Sequence, residues 1–236
     1  MAIIWLVSGT ILVGSPGLAG RAGQPEIRQE VVPGSGQRYT ISIPAGLEPD
    51  QPAPLVVALH YGGTVTPYFG GPFLTGLIEP GLRELEAIIV APDCTRGQWT
   101  GPEAEGDVLA LVEHVQKTWA TDPKRTLLTG YSMGAIGTWA IAARHQDRFT
   151  AALIISGRPL EGSGEVDWRI PLYIVHSRLD EVVPLQLTAD VVRQLSRRGA
   201  RVRLVVVDDL THYQVPAFTR HLHGAVPWVK HAWKRS

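Results

Sequence analysis

Ser132 stands between two glycines in Gly130-Tyr131-Ser132-Met133-Gly134. A serine hydroxyl is a poor nucleophile unless a base takes its proton. The G-x-S-x-G spacing meets one demand of that chemistry. Small residues two positions to either side let the chain turn sharply, so the hydroxyl projects and the next helix aims its free N–H groups at the reacting atom. Five residues alone are a weak signal, and an inert serine in a glycine-rich turn is the other reading. The surroundings favour the nucleophile: apolar "RTLLTG" (125–130) precedes it and small-residue "AIAARH" follows, a strand and a helix about the turn.

Such a serine needs a base, and in a fold that carries its serine on a strand–turn–helix of this kind the chain order is serine, then acid, then histidine. His212 lies in "DDLTHYQVP", straight after the last apolar run. His145 ends the helix after Ser132 and reads as a charge at a helix C-terminus. His176 closes a strand and reads as a satisfied structural histidine. His221, His223 and His231 fall on a solvated face of the tail, with spacings that match no strong metal template. Asp180, in "VHSRLDEVVP", follows a buried run and is the acid expected to hold the imidazole tautomer; a turn-forming aspartate is its plainer role. Asp208 and Asp209 stand close before His212 and read as strand-end or turn residues. Glu181 on a short loop is expected to point elsewhere. The third demand is an oxyanion hole. One N–H is expected from Met133, the other from Tyr61 or Gly62 in "LHYGG" (59–63).

The elements that must position these groups alternate along the chain. "RYTISIP" reads as an edge or hairpin strand. "PLVVALH" (54–60), "EAIIVAPD" (86–93), "AALIISG" (151–157), "PLYIVHS" (171–177) and "VRLVVVDD" (202–209) are near-continuous apolar runs, as for strands covered on both faces. Helices are expected over 105–119, 133–145 and 185–198, with a last one from Pro216 interrupted near Pro227. Residues 61–85 have room for a loop and a helix. Strand–helix alternation implies an α/β fold: a three-layer sandwich with a mostly parallel, doubly wound sheet and no large cap domain. Its site belongs outside the carboxyl ends of the strands, where His60–Gly63, Ser132, Asp180 and His212 fall. Tyr61, Trp99 and Tyr213 lie near strand ends and are candidates for substrate contact.

A chain of 236 residues suits one folded domain. Its 22 basic and 22 acidic side chains balance, which gives no footing for nucleic acid. A single cysteine, Cys94, excludes an intramolecular disulfide and a cysteine-built metal site, and reads as a small buried residue. Residues 1–20 carry no charged side chain and turn from apolar to Gly, Ser and Pro. They are expected to be an export signal, so that the protein is periplasmic or secreted, or else a retained membrane anchor. Residues 21–36 read as a linker and 37–236 as the catalytic domain.

Together these stretches resemble the α/β-hydrolase superfamily. The likeness is nearest to small bacterial esterases of the phospholipase/carboxylesterase, feruloyl-esterase and polyhydroxybutyrate-depolymerase type, often grouped with predicted peptidases. It is carried by "LVVALHYGG", "DPKRTLLTGYSMGAIGTWAIAARHQDRFTAALIISG", "PLYIVHSRLDEVVP" and "THY", over most of residues 54–213. In the long stretch Asp122 and Arg125 would structure the strand entrance, and Gly137 and Trp139 would serve helix packing. The family's first loop often reads His-Gly-Gly; here Tyr61 stands second. Ala135 replaces a frequent glycine, and Ser177 stands where glycine usually follows histidine. The resemblance implies hydrolysis of a small or polymer-linked carboxylic ester by Ser132, His212 and Asp180 through an acyl-enzyme, with no metal or organic cofactor. A peptidase, an acyltransferase or a non-catalytic binding protein on the same fold are the rivals.

Overall fold

Six apolar runs and one alternating run become seven of the eight strands in a computed structural model, which describes residues 23–48 and 51–235. They are β2 (Arg38–Ile43), β3 (Ala53–Leu59), β4 (Ile88–Pro92), β5 (Thr121–Tyr131), β6 (Ala151–Ile155), β7 (Leu172–Ser177) and β8 (Val202–Val207). The eighth, β1 (Glu26–Val31), lies inside the stretch expected to be a linker. Its sequence, EIRQEV, puts Glu26, Arg28 and Glu30 on one face and Ile27, Gln29 and Val31 on the other, a short polar-rich alternation that is easily read as a linker. It forms because β2 offers a full antiparallel register, Glu26 opposite Ile43 through Val31 opposite Arg38. Charged side chains suit an edge strand, because they discourage pairing with another chain.

The order across the sheet is β1-β2-β4-β3-β5-β6-β7-β8. β1, β2 and β4 pair antiparallel, and every pair from β4 to β8 is parallel. The sheet is therefore mostly parallel, as the alternation implies.

Side chains of a strand alternate between its faces, and each face has its own core. Leu55, Val57, Leu128, Ile154 and Ile174 pack with α3 (Pro102–Thr118), α4 (Met133–Arg144) and α5 (Leu185–Arg197). Val56, Leu127, Leu153, Tyr173 and Val175 pack on the other side. Their partners are α1 (Gly70–Phe73), α2 (Glu79–Leu82), the π-helical turn Leu74–Ile78 between them, α6 (Thr219–His223) and α7 (Val226–Trp233). Strands covered this way must be apolar throughout, which is why they were legible.

The tail helix is interrupted near Pro227, as expected: it breaks at Gly224–Ala225, and Pro227 sits in the first turn of α7. Proline lacks only a donor that the first turn leaves unpaired anyway. Cys94 is buried, as expected. The candidate export segment, residues 1–20, lies outside the described residues. Among the described residues no helix is long and apolar enough to cross a membrane.

Candidate active site

β5 ends at Tyr131, and α4 begins at Met133. The one residue between them, Ser132, has φ 53° and ψ −115°. A positive φ is uncommon for a residue with a Cβ, and it persists only where the surroundings over-determine it. Here the Ser132 N–H is tied to the Ile155 carbonyl at 3.0 Å, and its carbonyl accepts the Ile136 N–H at 3.0 Å.

The two motif glycines are required by close approach. A Cβ on Gly130 would lie 2.3 Å from the Gly134 carbonyl oxygen, and one on Gly134 would lie 1.8 Å from the Leu59 carbonyl oxygen. Both obstacles are backbone and cannot step aside. Gly134→Ala is expected to lower stability by about 3 kcal/mol or more, read as a drop in the denaturant midpoint. A midpoint equal to wild type would mean that β3 and α4 are not packed this closely.

His212 comes from the loop after β8, and Asp180 from the loop after β7. The Nε2 of His212 is 2.8 Å from the Ser132 Oγ, and its Nδ1 is 2.8 Å from the Asp180 Oδ2. An ionised carboxylate can only accept, so Nδ1 carries the proton. That leaves the Nε2 lone pair facing the serine hydroxyl. Asp180 is 8% exposed and His212 5%. Burial pushes the Asp180 carboxyl up, but His176, His212 and the Val183 N–H outweigh it and hold the group well below the usual carboxylate range. The Val182 and Val183 N–H groups both donate to Oδ1, at 3.1 and 2.7 Å. The site therefore places a carboxylate, an imidazole and a hydroxyl in line.

The Tyr61–Gly63 loop lies over the start of α4: a Cβ on Gly62 would stand 3.8 Å from the Cβ and the sulfur of Met133. Buried His60 anchors this loop. Its Nε2 accepts the Cys94 N–H at 3.0 Å, so Nδ1 is the donor to the Tyr61 carbonyl at 2.6 Å. Burial pushes the His60 imidazole down, against the opposing pull of that carbonyl and of Asp93. The Asp93 carboxylate accepts the Tyr68 and Gly70 N–H groups at 2.7 and 3.2 Å, tying the far end of the same loop to β4.

The three substrate candidates part company here. Tyr213 is 75% exposed, with its ring 5.7 Å from the His212 ring. Tyr61 is half-buried, edge-on to Phe69, Phe73 and Tyr131. Trp99 is only 1% exposed, and its Nε1 donates to the His60 carbonyl at 2.9 Å. It packs under the loop and presents nothing to a substrate, a correction to the sequence reading. The pattern that misled is general: a tryptophan after a strand can close the core as readily as line a cleft.

Other residues fall as expected. Arg125 bonds Asp122 at 2.7 Å at the start of β5, and His145 bonds Glu105 at 2.5 Å. Asp208 and Asp209 pair with Arg178 and Arg220. His176 is less simple. Its Nε2 bonds the Val183 carbonyl at 2.8 Å and lies 3.5 Å from the Asp180 Oδ2, while its buried Nδ1 has no hydrogen-bond partner among the described residues. Glu181 is a correction too: its Oε2 accepts the His212 N–H at 2.9 Å.

The dienelactone hydrolase family model matches residues 94–234. A probable feruloyl esterase C of Aspergillus terreus is 28% identical over 199 residues, 78% of this chain and 72% of the relative. Feruloyl esterase C of Emericella nidulans is 26% identical over 69% of this chain and 62% of its own length. A ferulic acid esterase of known structure superposes with a TM-score of 0.73 over 89% of this chain and 99% of that one, at 17% identity, a likeness of fold.

Proposed function

The chain belongs to the dienelactone hydrolase family and hydrolyses carboxylic esters, and from that premise we propose that it works as a serine esterase through an acyl-enzyme. The observation that carries the reading is His212 standing between Ser132 and Asp180 at hydrogen-bond distance from both. Ser132 Oγ attacks the ester carbonyl carbon while His212 Nε2 takes its proton. Asp180 holds the ring and balances the imidazolium charge. The oxyanion of the tetrahedral intermediate accepts the Met133 N–H and a second N–H from Tyr61 or Gly62; one such donor contributes on the order of 3–4 kcal/mol to the transition state. As the intermediate collapses, His212 gives the proton to the departing alkoxide. Water then attacks the acyl-enzyme with His212 as base again, and the acid product leaves.

For the substrate we propose an ester of an aromatic acid, small or polymer-linked. The feruloyl esterase relatives and the exposed Tyr213 ring beside His212 support this class. A panel of methyl ferulate, acetylated xylose and p-nitrophenyl esters of rising acyl length tests it. The expected result is the highest kcat/KM on the ferulate ester, falling about three- to ten-fold in Tyr213→Ala, the loss of one aromatic contact of roughly 0.5–1.5 kcal/mol. Equal turnover across the panel would overturn the substrate class and leave the esterase reading standing. Labelling by a fluorophosphonate probe is expected in the native protein; no labelling would favour a binding protein on this fold.

A further inference from the structure

The bonds at Nδ1 and Nε2 fix the His212 ring, but something else must fix its backbone. The loop after β8 has little of its own: the Thr211 N–H bonds the Gln214 side chain at 2.8 Å, and the Gln214 N–H bonds the Thr211 carbonyl at 3.3 Å. It follows an edge strand with a neighbour on one side only. Its ties come from outside. The Arg178 guanidinium reaches Asp208 at 2.6 Å. The Ser177 hydroxyl donates to the Leu210 carbonyl and accepts the Leu179 N–H at 3.1 Å. Glu181 accepts the His212 N–H at 2.9 Å, and the Tyr131 phenol donates to the His212 carbonyl at 2.6 Å.

The last two bonds hold the peptide groups on both sides of the histidine. They come from the residue before Ser132 and the residue after Asp180. The nucleophile turn and the acid loop thus each hold the histidine twice, once through the ring and once through the chain. Glu181 is the informative member. Its side chain is exposed, and an exposed glutamate gives up rotamer freedom to hold one geometry. A carboxylate makes a short, charge-assisted bond to a backbone N–H, and here that N–H belongs to the general base.

We propose that Glu181 is a positioning residue that holds the His212 backbone so that the imidazole stays in line between Asp180 and Ser132. The proposal rests on the reading of those three residues as a catalytic triad. The part that Glu181 plays is that of an acceptor, so an amide oxygen can replace its carboxylate.

The test compares wild type, Glu181→Ala, Glu181→Gln, Tyr131→Phe and Ser132→Ala on one p-nitrophenyl ester, with unfolding midpoints measured alongside. Glu181→Ala is expected to lose about ten- to a hundred-fold in kcat, the scale of a slightly misplaced catalytic group. Its KM and midpoint should stay near wild type, and its rate of acylation by a fluorophosphonate should fall in parallel. Glu181→Gln is expected to restore most of the loss, and Tyr131→Phe, which removes the bond on the other side, to give the same kcat signature. Wild-type kcat in Glu181→Ala overturns the proposal. So does a loss in Glu181→Gln as large as in Glu181→Ala, or a fall in midpoint with kcat intact in the folded fraction. The control separates the two failures: an active Ser132→Ala overturns the triad itself, whereas an inactive one beside a fully active Glu181→Ala overturns the positioning role alone.

Discussion

Ser132→Ala is expected to lower kcat on a short p-nitrophenyl ester by about a million-fold, the scale seen when a triad nucleophile is removed. The fold should survive. Among the described residues the Ser132 hydroxyl has one hydrogen-bond partner, the His212 Nε2, and alanine at φ 53° is strained no more than serine is. The matched control is Ser156→Ala. Ser156 also sits at a strand end with positive φ, 49°, and is fully buried. It shares the strand-end position and the positive φ of Ser132, but no helix follows it and, among the described residues, its hydroxyl bonds no histidine. Ser156→Ala should keep wild-type turnover. If Ser132→Ala retains more than about one per cent of wild-type kcat, attack by Ser132 is wrong, because binding and an oxyanion hole alone leave far less.

The contrast between these two serines shows what a sequence can carry. G-x-S-x-G was readable because a steric demand selects the residue type at Gly130 and Gly134, and the demand is met at 2.3 and 1.8 Å. The strands were readable because both faces of the sheet are covered, so Val56 and Val57 must both be apolar although they enter different cores. Chain order singled out Asp180 and His212, because each follows a strand that the topology brings beside Ser132. What escaped has physical causes. β1 is placed by backbone pairing to β2, with side-chain contacts from Glu30 to Tyr39 and Arg28 over Trp119 that no local pattern announces, so its composition reads as a linker. Trp99 closes the core beneath the Tyr61 loop through one indole N–H, which no spacing reveals. Glu181 turns toward His212 because the Asp180 loop folds back on Val182 and Val183, and a loop path is a three-dimensional fact. The one local hint was Ser177, a departure from glycine, whose hydroxyl stitches the same two loops together.

Asp180→Asn is the second large effect, and the surroundings dictate its mechanism. Oδ1 receives two N–H donors, from Val182 and Val183, so the amide oxygen of an asparagine must take that place. Its NH2 then occupies the place of Oδ2, against His212 Nδ1 and His176 Nε2. Two donors cannot share one bond, so His212 is forced to accept at Nδ1 and carry its proton on Nε2. The lone pair that should take the serine proton is gone, and kcat is expected to fall about ten-thousand-fold. KM should move little, because in the proposed mechanism substrate meets Ser132 and the loop donors rather than Asp180. The same carboxylate links stability to pH. In the folded protein its donors, opposing burial, hold Asp180 well below the ordinary value of 3.8. A depressed carboxyl stabilises the fold above the unfolded value, and that contribution is lost as pH falls through the folded one. The stability gap between wild type and Asp180→Asn should therefore be constant from about pH 5 to 8 and shrink steadily below pH 4, read from denaturant curves at each pH. A gap as large at pH 3 as at pH 7 would mean that the two N–H donors and the two histidines do not favour the ionised acid, and the tautomer argument would lose its footing with it.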